Sequence, residues 1–146
     1  VWRMATLSLY RTAHAALPAM AARGQGNLFV TASTAALRGN PGQHAHAAAM
    51  GARRLLCQSL SAEYAAKGIH VAHVVVDGAV DAPDTLGKML GPERFAALRA
   101  AKGGEAGGLI SPEAVAETYL QLARQPRSTW TFELDLRSHS DRAWWN

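Results

Sequence analysis

The chain has 146 residues, 49% of them hydrophobic and 18% charged, with a formal net charge of +4. That is one domain's worth of chain, long enough to bury a core without disulfides, and its composition excludes a disordered chain, a collagen and a small disulfide scaffold. The basic residues are dispersed, with Arg53-Arg54 the only adjacent pair. The excess charge therefore reads as solubility and attraction for an anionic ligand, and no nucleic-acid partner is expected.

The segment from Trp2 to Ala22 carries apolar residues at Trp2, Leu7, Leu9, Tyr10, Leu17 and Met20, which predicts one helix bent or shortened by Pro18. Arg3, Arg11 and His14 interrupt it, so it is a poor signal-peptide core, and no run in the chain is apolar enough to span a membrane. Gly24 to Asn27 is a turn. Leu28 to Ser33 is a short apolar, β-rich run and predicts a buried strand. Residues 34–42 read as a loop, and Gln43 to Lys67 as a long helix closed by Gly68. Ile69 to Val76 is a second apolar strand, ended by Asp77-Gly78. Asp84 to Lys102 predicts one or two helices broken at Gly91-Pro92, followed by a flexible Gly103–Gly108 stretch. Ser111-Pro112-Glu113 is a helix start: a Ser cap, Pro at the first position and an acid in the first turn. That helix is expected to reach about Gln125. Trp130 to Leu136 alternates apolar Trp130, Phe132, Leu134 and Leu136 with polar residues, a strand with one buried face. The Trp144-Trp145 tail is unassigned. Strands separated by long helices imply right-handed crossovers and a parallel sheet, hence an α/β class.

The run from Asn27 to Val80, NLFVTASTAALRGNPGQHAHAAAMGARRLLCQSLSAEYAAKGIHVAHVVVDGAV, resembles the C-terminal half of the short-chain dehydrogenases/reductases. In that family a strand ends in a catalytic Ser, a Tyr follows thirteen residues later and a Lys four after that. The helix ends at a Gly ahead of a strand of the type IxVxxVxPGxV, a frame matched here by Gly68, Ile69, Val71, Val74, Gly78 and Val80. VWRMATLSLYRTAHAALPAM is similar to the helix bearing the family's Asn, and RQPRSTWTFELDLRS to the last helix-strand segment of one divergent oxidoreductase branch. The resemblance implies the C-terminal part of a Rossmann-like doubly wound parallel sheet, about three strands with flanking helices. It also implies that residues 1–146 are a single truncated domain lacking the N-terminal dinucleotide-binding half, with its Gly-rich phosphate turn.

Carried over position by position, the family's Asn falls on Ala5, its Ser on Ser33, its Tyr on His46 and its Lys on Met50. The family's Ser polarises the carbonyl, its Tyr moves the carbonyl proton, its Lys supports the Tyr and holds the nicotinamide ribose, and its Asn holds a water relay. Ala5 and Met50 carry no group for those tasks, whereas a His is suited to proton transfer near neutral pH. Ser33 and His46 are thus the candidate catalytic residues, and Met50, Gly78 and Val80 occupy cofactor-side positions. NAD or NADP is implied by the resemblance alone, and no nucleotide at all is the alternative for a chain without the phosphate turn. Nothing holds the ribose unless Arg53 or Arg54 reaches back; a solvated helix face is the plainer expectation for that pair.

The remaining residues read plainly. His44 and His46 do not share a helix face, His70 and His73 point to opposite faces of their strand, and no metal site is expected. Cys57, the single cysteine, is expected to be buried and inert, and its solitude fits a reducing, cytoplasmic setting. Asp81 to Gly108 would form the substrate lid, with Ala82, Gly87, Gly103 and Gly104 suggesting mobility. Three functions compete. One is a family-type oxidoreductase fragment with impaired or no hydride transfer by itself. Another is an enzyme with rewired Ser33/His46 chemistry on a small carbonyl, hydroxyl or epoxide. The last is a non-catalytic module using the helices Trp2–Ala22 and Gln43–Lys67 as its contact surface. The bare edge of the Leu28–Ser33 strand predicts a homo-oligomer or pairing with a separate N-terminal half.

Overall fold

The computed structural model describes residues 1–103 and 107–145. The chain forms two compact units, Val1–Val76 with Leu122–Leu134 and Asp77–Gln121 with Asp135–Asn146. The strands make one parallel sheet in the order β1-β2-β3, with β1 spanning Gly26–Ser33, β2 Ile69–Val76 and β3 Glu133–Leu136. This is the expected α/β class.

In the first unit, α1 (Ser8–Ala22) is entered through a wider π-helical stretch, Arg3–Leu7. Its inner face differs from the one its large residues predict. Ala5, Leu9, Ala13 and Leu17, four apart, are buried, while Trp2 is 55% and Tyr10 53% exposed. Ala5 and Ala13 alternate with Leu9 and Leu17 on that face, and the aromatic Trp2 and Tyr10 are left outside. Pro18 does not end the helix. It lies on the exposed face, where the carbonyl that loses its N–H partner opens to water.

β1 and β2 pair in parallel from Gly26↔Ile69 to Ser33↔Val76. The crossover between them is α2 (His44–Tyr64), extended by a tighter turn at Ala65–Lys67 and stopped by Gly68 with φ 80°. Every β2 residue from Ile69 to Val75 is buried, as a central strand covered on both faces requires. The core of this unit joins Leu9, Ala13 and Leu17 of α1 to Val30, Cys57, Ile69 and Val71.

β3 is shorter than the predicted Trp130–Leu136. Gln125 explains its late start: its side chain exchanges hydrogen bonds with the Thr131 backbone and hydroxyl at 2.8 Å each, and its carbonyl accepts from the Trp130 indole. From Phe132 onward the ladder runs, with the His73 N–H donating to the Phe132 carbonyl at 2.6 Å and the Asp77 N–H to that of Leu136 at 2.8 Å. No one-sided burial pattern appears, since all four β3 residues are half-buried.

In the second unit a π-helical stretch, Pro83–Gly87, leads into α3 (Lys88–Leu90), and α4 (Pro92–Ala101) follows the expected break at Gly91. The predicted lid is thus mostly helical, and Gly87 is no loop glycine: it lies under the Phe95 ring, which a Cβ would approach to 3.2 Å. Gly104, and most of the predicted Gly103–Gly108 stretch, lie outside the described residues. α5 (Pro112–Ala123) starts as predicted, the Ser111 hydroxyl accepting from the Ala114 N–H at 3.2 Å. Val80 forms a parallel bridge with Ile110. Among the described residues no helix is long and apolar enough to cross a membrane.

Candidate active site

Ser33 ends β1 in an extended conformation and leads into a 3₁₀ turn, Thr34–Ala36. His46 lies in the first turn of α2, thirteen residues on. The two side chains meet, Ser33 Oγ lying 3.3 Å from His46 Nε2, and both residues are half-buried. A hydroxyl and an imidazole at hydrogen-bond range can polarise an oxygen and transfer a proton to or from it. Met50, one turn further along α2, is half-buried and brings neither charge nor donor.

The walls around this pair are tied together by backbone acceptors. Arg53 donates from Nη1 to the Ala5 carbonyl and from Nε to the Thr31 carbonyl at 3.1 Å. The Thr6 hydroxyl donates to the Ala49 carbonyl at 2.8 Å. The entry to α1, the end of β1 and the middle of α2 are therefore cross-linked. Arg54 forks onto Glu133 at 2.6 and 2.8 Å, and Glu133 Oε2 also meets His73 Nδ1 at 2.9 Å. These contacts correct the expectation of a solvated Arg53-Arg54 face. They also commit both guanidinium groups to protein acceptors.

The electrostatics follow from this network. The Arg54 guanidinium holds the Glu133 carboxyl below the usual carboxylate range. Burial pushes His73 below the usual imidazole range, although Glu133 pulls the other way. Burial also pushes the Cys57 thiol up to about 12, against the opposing field of Arg53. Cys57 is fully buried, as expected of an inert thiol. His70 and His73 do face opposite sides of β2: His70 stacks on Trp130 with ring centroids 5.0 Å apart and bonds the Thr131 carbonyl, while His73 faces Glu133. Among the described residues no group of three His, Cys, Asp or Glu side chains could hold a metal ion.

Gly78 and Val80 belong to the second unit. Gly78 has φ 155°, and a Cβ there would lie 2.7 Å from Asp141 Oδ2 and 3.2 Å from Ile110 Cδ1. Asp141 is paired with Lys102. Asp77, which stands where the family frame has Pro, accepts a hydrogen bond from the Trp144 N–H at 3.0 Å. The tail left unassigned by the sequence is therefore docked on this strand end.

Met50 cannot bind a ribose hydroxyl, the two adjacent arginines are turned onto protein groups, and a carboxylate stands beside Gly78. Sequence reasoning missed Glu133, Lys102 and Asp141. Glu133 sits on the polar side of an alternating run, and the ion pair between Lys102 and Asp141 closes over 39 residues, so local pattern gave no signal for either.

A family model described as enoyl-(acyl carrier protein) reductase matches residues 1–133. Among solved structures, a short-chain dehydrogenase from Rhodopseudomonas palustris is 33% identical, with a TM-score of 0.68 over 93% of this chain and 49% of that one. An alcohol dehydrogenase from the archaeon Thermococcus sibiricus, complexed with 5-hydroxy-NADP, is 25% identical, with a TM-score of 0.70 over 94% of this chain and 52% of that one. A closed form of serine dehydrogenase complexed with NADP+ shares 18% identity and a TM-score of 0.68 over 88% and 50% of the two chains, a likeness of fold alone. The chain thus spans about half the length of the solved proteins it resembles. No curated protein matches it.

Proposed function

The chain belongs to the short-chain dehydrogenase/reductase family, and from that premise we propose that it is a divergent oxidoreductase of that family whose hydride transfer, by this chain alone, is impaired. One observation carries the reading. The hydroxyl–imidazole pair Ser33/His46 is kept in contact at 3.3 Å, while the neighbouring cation position is Met50 and the adjacent arginines are engaged elsewhere. The contact supports a role for the pair in polarising an oxygen and moving its proton, and the uncharged Met50 supports a weakened hold on a nucleotide. NAD or NADP, bound with the help of another chain, would supply the hydride; Ser33 would polarise a small carbonyl or hydroxyl substrate and His46 would exchange its proton.

The 3.3 Å contact also supports a second reading, in which Ser33 and His46 act on a small carbonyl, hydroxyl or epoxide without a nucleotide. Partners are proposed at two surfaces. β1 is an edge of the three-stranded sheet, suited to pairing with a further strand. The entry to α1, α1 itself and α2 expose Trp2, Tyr10 and Leu55 respectively, suited to a second copy. A cytoplasmic, reducing location fits the single cysteine.

Fluorescence titration with NADH and NADPH is expected to show no binding tighter than millimolar. A screen of small carbonyl compounds, run with Ser33→Ala and His46→Ala, tests the pair: activity that both substitutions leave untouched removes them from the chemistry.

A further inference from the structure

The segment after β3 is tied down at several points. The Ser138 hydroxyl donates to the Gly107 carbonyl at 2.8 Å, and the Trp144 N–H donates to Asp77. Arg137 lies over the Trp145 ring, 4.4 Å from its centroid. Ser138 and Ala143 are buried. These contacts hold in place a segment that would otherwise fray.

The tail also places charge there. Asp141 pairs with Lys102 through Oδ1 and turns Oδ2 toward Gly78. Its side chain is only 14% exposed, whereas Gly78 itself is open to solvent. Around this strand end Asp77, Asp135 and Asp141 share two cations, Arg137 and Lys102. Among the described residues of this cluster the carboxylates outnumber the cations by one, and the Lys102 ammonium is engaged by Asp141. Removing the Asp141 charge would release Lys102 and cancel the local surplus of negative charge.

We infer that the segment Ser138–Trp145 is an autoinhibitory strap, latched on Asp77 and Lys102, which holds the Asp141 carboxylate beside Gly78 and opposes phosphate-bearing ligands at that strand end. The inference rests on the reading of Gly78 as a cofactor-side position.

The test compares the chain, Asp141→Asn and Asp141→Asn/Lys102→Met in titrations with NADH and with uncharged dihydronicotinamide riboside, at low and high salt. Asp141→Asn is isosteric, and a chain ending at Arg137 provides a second way to remove the carboxylate. Both are expected to bind NADH about tenfold tighter than the parent at low salt, the gain being screened away at about 0.5 M salt and cancelled in the double variant. Affinity for dihydronicotinamide riboside stays unchanged. Unchanged NADH affinity with the riboside bound by every form overturns the strap and leaves the cofactor-side reading standing. Equal gains for both probes overturn it as well, because charge would not be the cause. Failure of every form to bind either probe overturns the strap together with the cofactor-side reading.

Discussion

Glu133 serves two partners at once, a forked contact with Arg54 and a contact with the fully buried His73. Its loss leaves both partly or wholly desolvated groups unsatisfied, and Glu133→Ala is expected to cost about 1–3 kcal/mol in urea denaturation. The same cluster sets a pH dependence. Burial holds His73 below its ordinary value, so below about pH 6.5 the unfolded chain takes up a proton that the folded chain refuses, and stability falls. Glu133 is held below its ordinary value by Arg54, so a second loss begins near pH 4.5 and continues as the folded carboxyl itself is protonated. Denaturation midpoints from pH 8 to 4 are expected to decline in these two stages, with the lower one diminished in Glu133→Gln. At Cys57, with its thiol pushed up to about 12, labelling by a maleimide at pH 8 is expected to be roughly a thousandfold slower than for a free thiol, and fast only after unfolding. Burial of Cys57 was legible from its leucine neighbours. The double use of Glu133 was not, because the partners of a charged residue on an alternating strand lie on other elements.

Helix and strand limits were mostly legible because the punctuating residues act locally. Gly68 is the clearest case. It holds φ 80°, and a Cβ there would run into the Gly24 carbonyl. Gly68→Ala is expected to destabilise by about 1–3 kcal/mol through strain at the end of α2, seen as a lower denaturation midpoint with an unchanged slope. Ser111, Gly91-Pro92 and the Gln43 start of α2 were read correctly for the same reason. The buried face of α1 was not, since in an alanine-rich chain the inward Ala5 and Ala13 are indistinguishable by composition from outward alanines. β3 began late because Gln125, outside the strand, captured Thr131. Contacts with residues outside the element decided both outcomes, and the periodicity within it carries no record of them.

On the scale of the molecule, the parallel sheet followed from apolar runs spaced by a helix, and the family frame from Ser33 through Gly68 to Gly78. The proximity of Ser33 and His46 was implied by that frame; the docking of the tail on Asp77 had no precedent in it. With β1 at a sheet edge and Trp2, Tyr10 and Leu55 exposed, the chain is expected to self-associate. Light scattering at micromolar concentration checks this, and a monodisperse monomer would count against both proposed surfaces. The β1–β2 register has a kinetic consequence. Each partner lies 43 positions from its mate, so the chain must close a long loop before the first ladder bond forms. α2 can organise through neighbours in microseconds, while β1 waits. During synthesis β1 leaves the ribosome well ahead of β2, and for that interval its sticky backbone is available to any chaperone able to clasp an extended peptide.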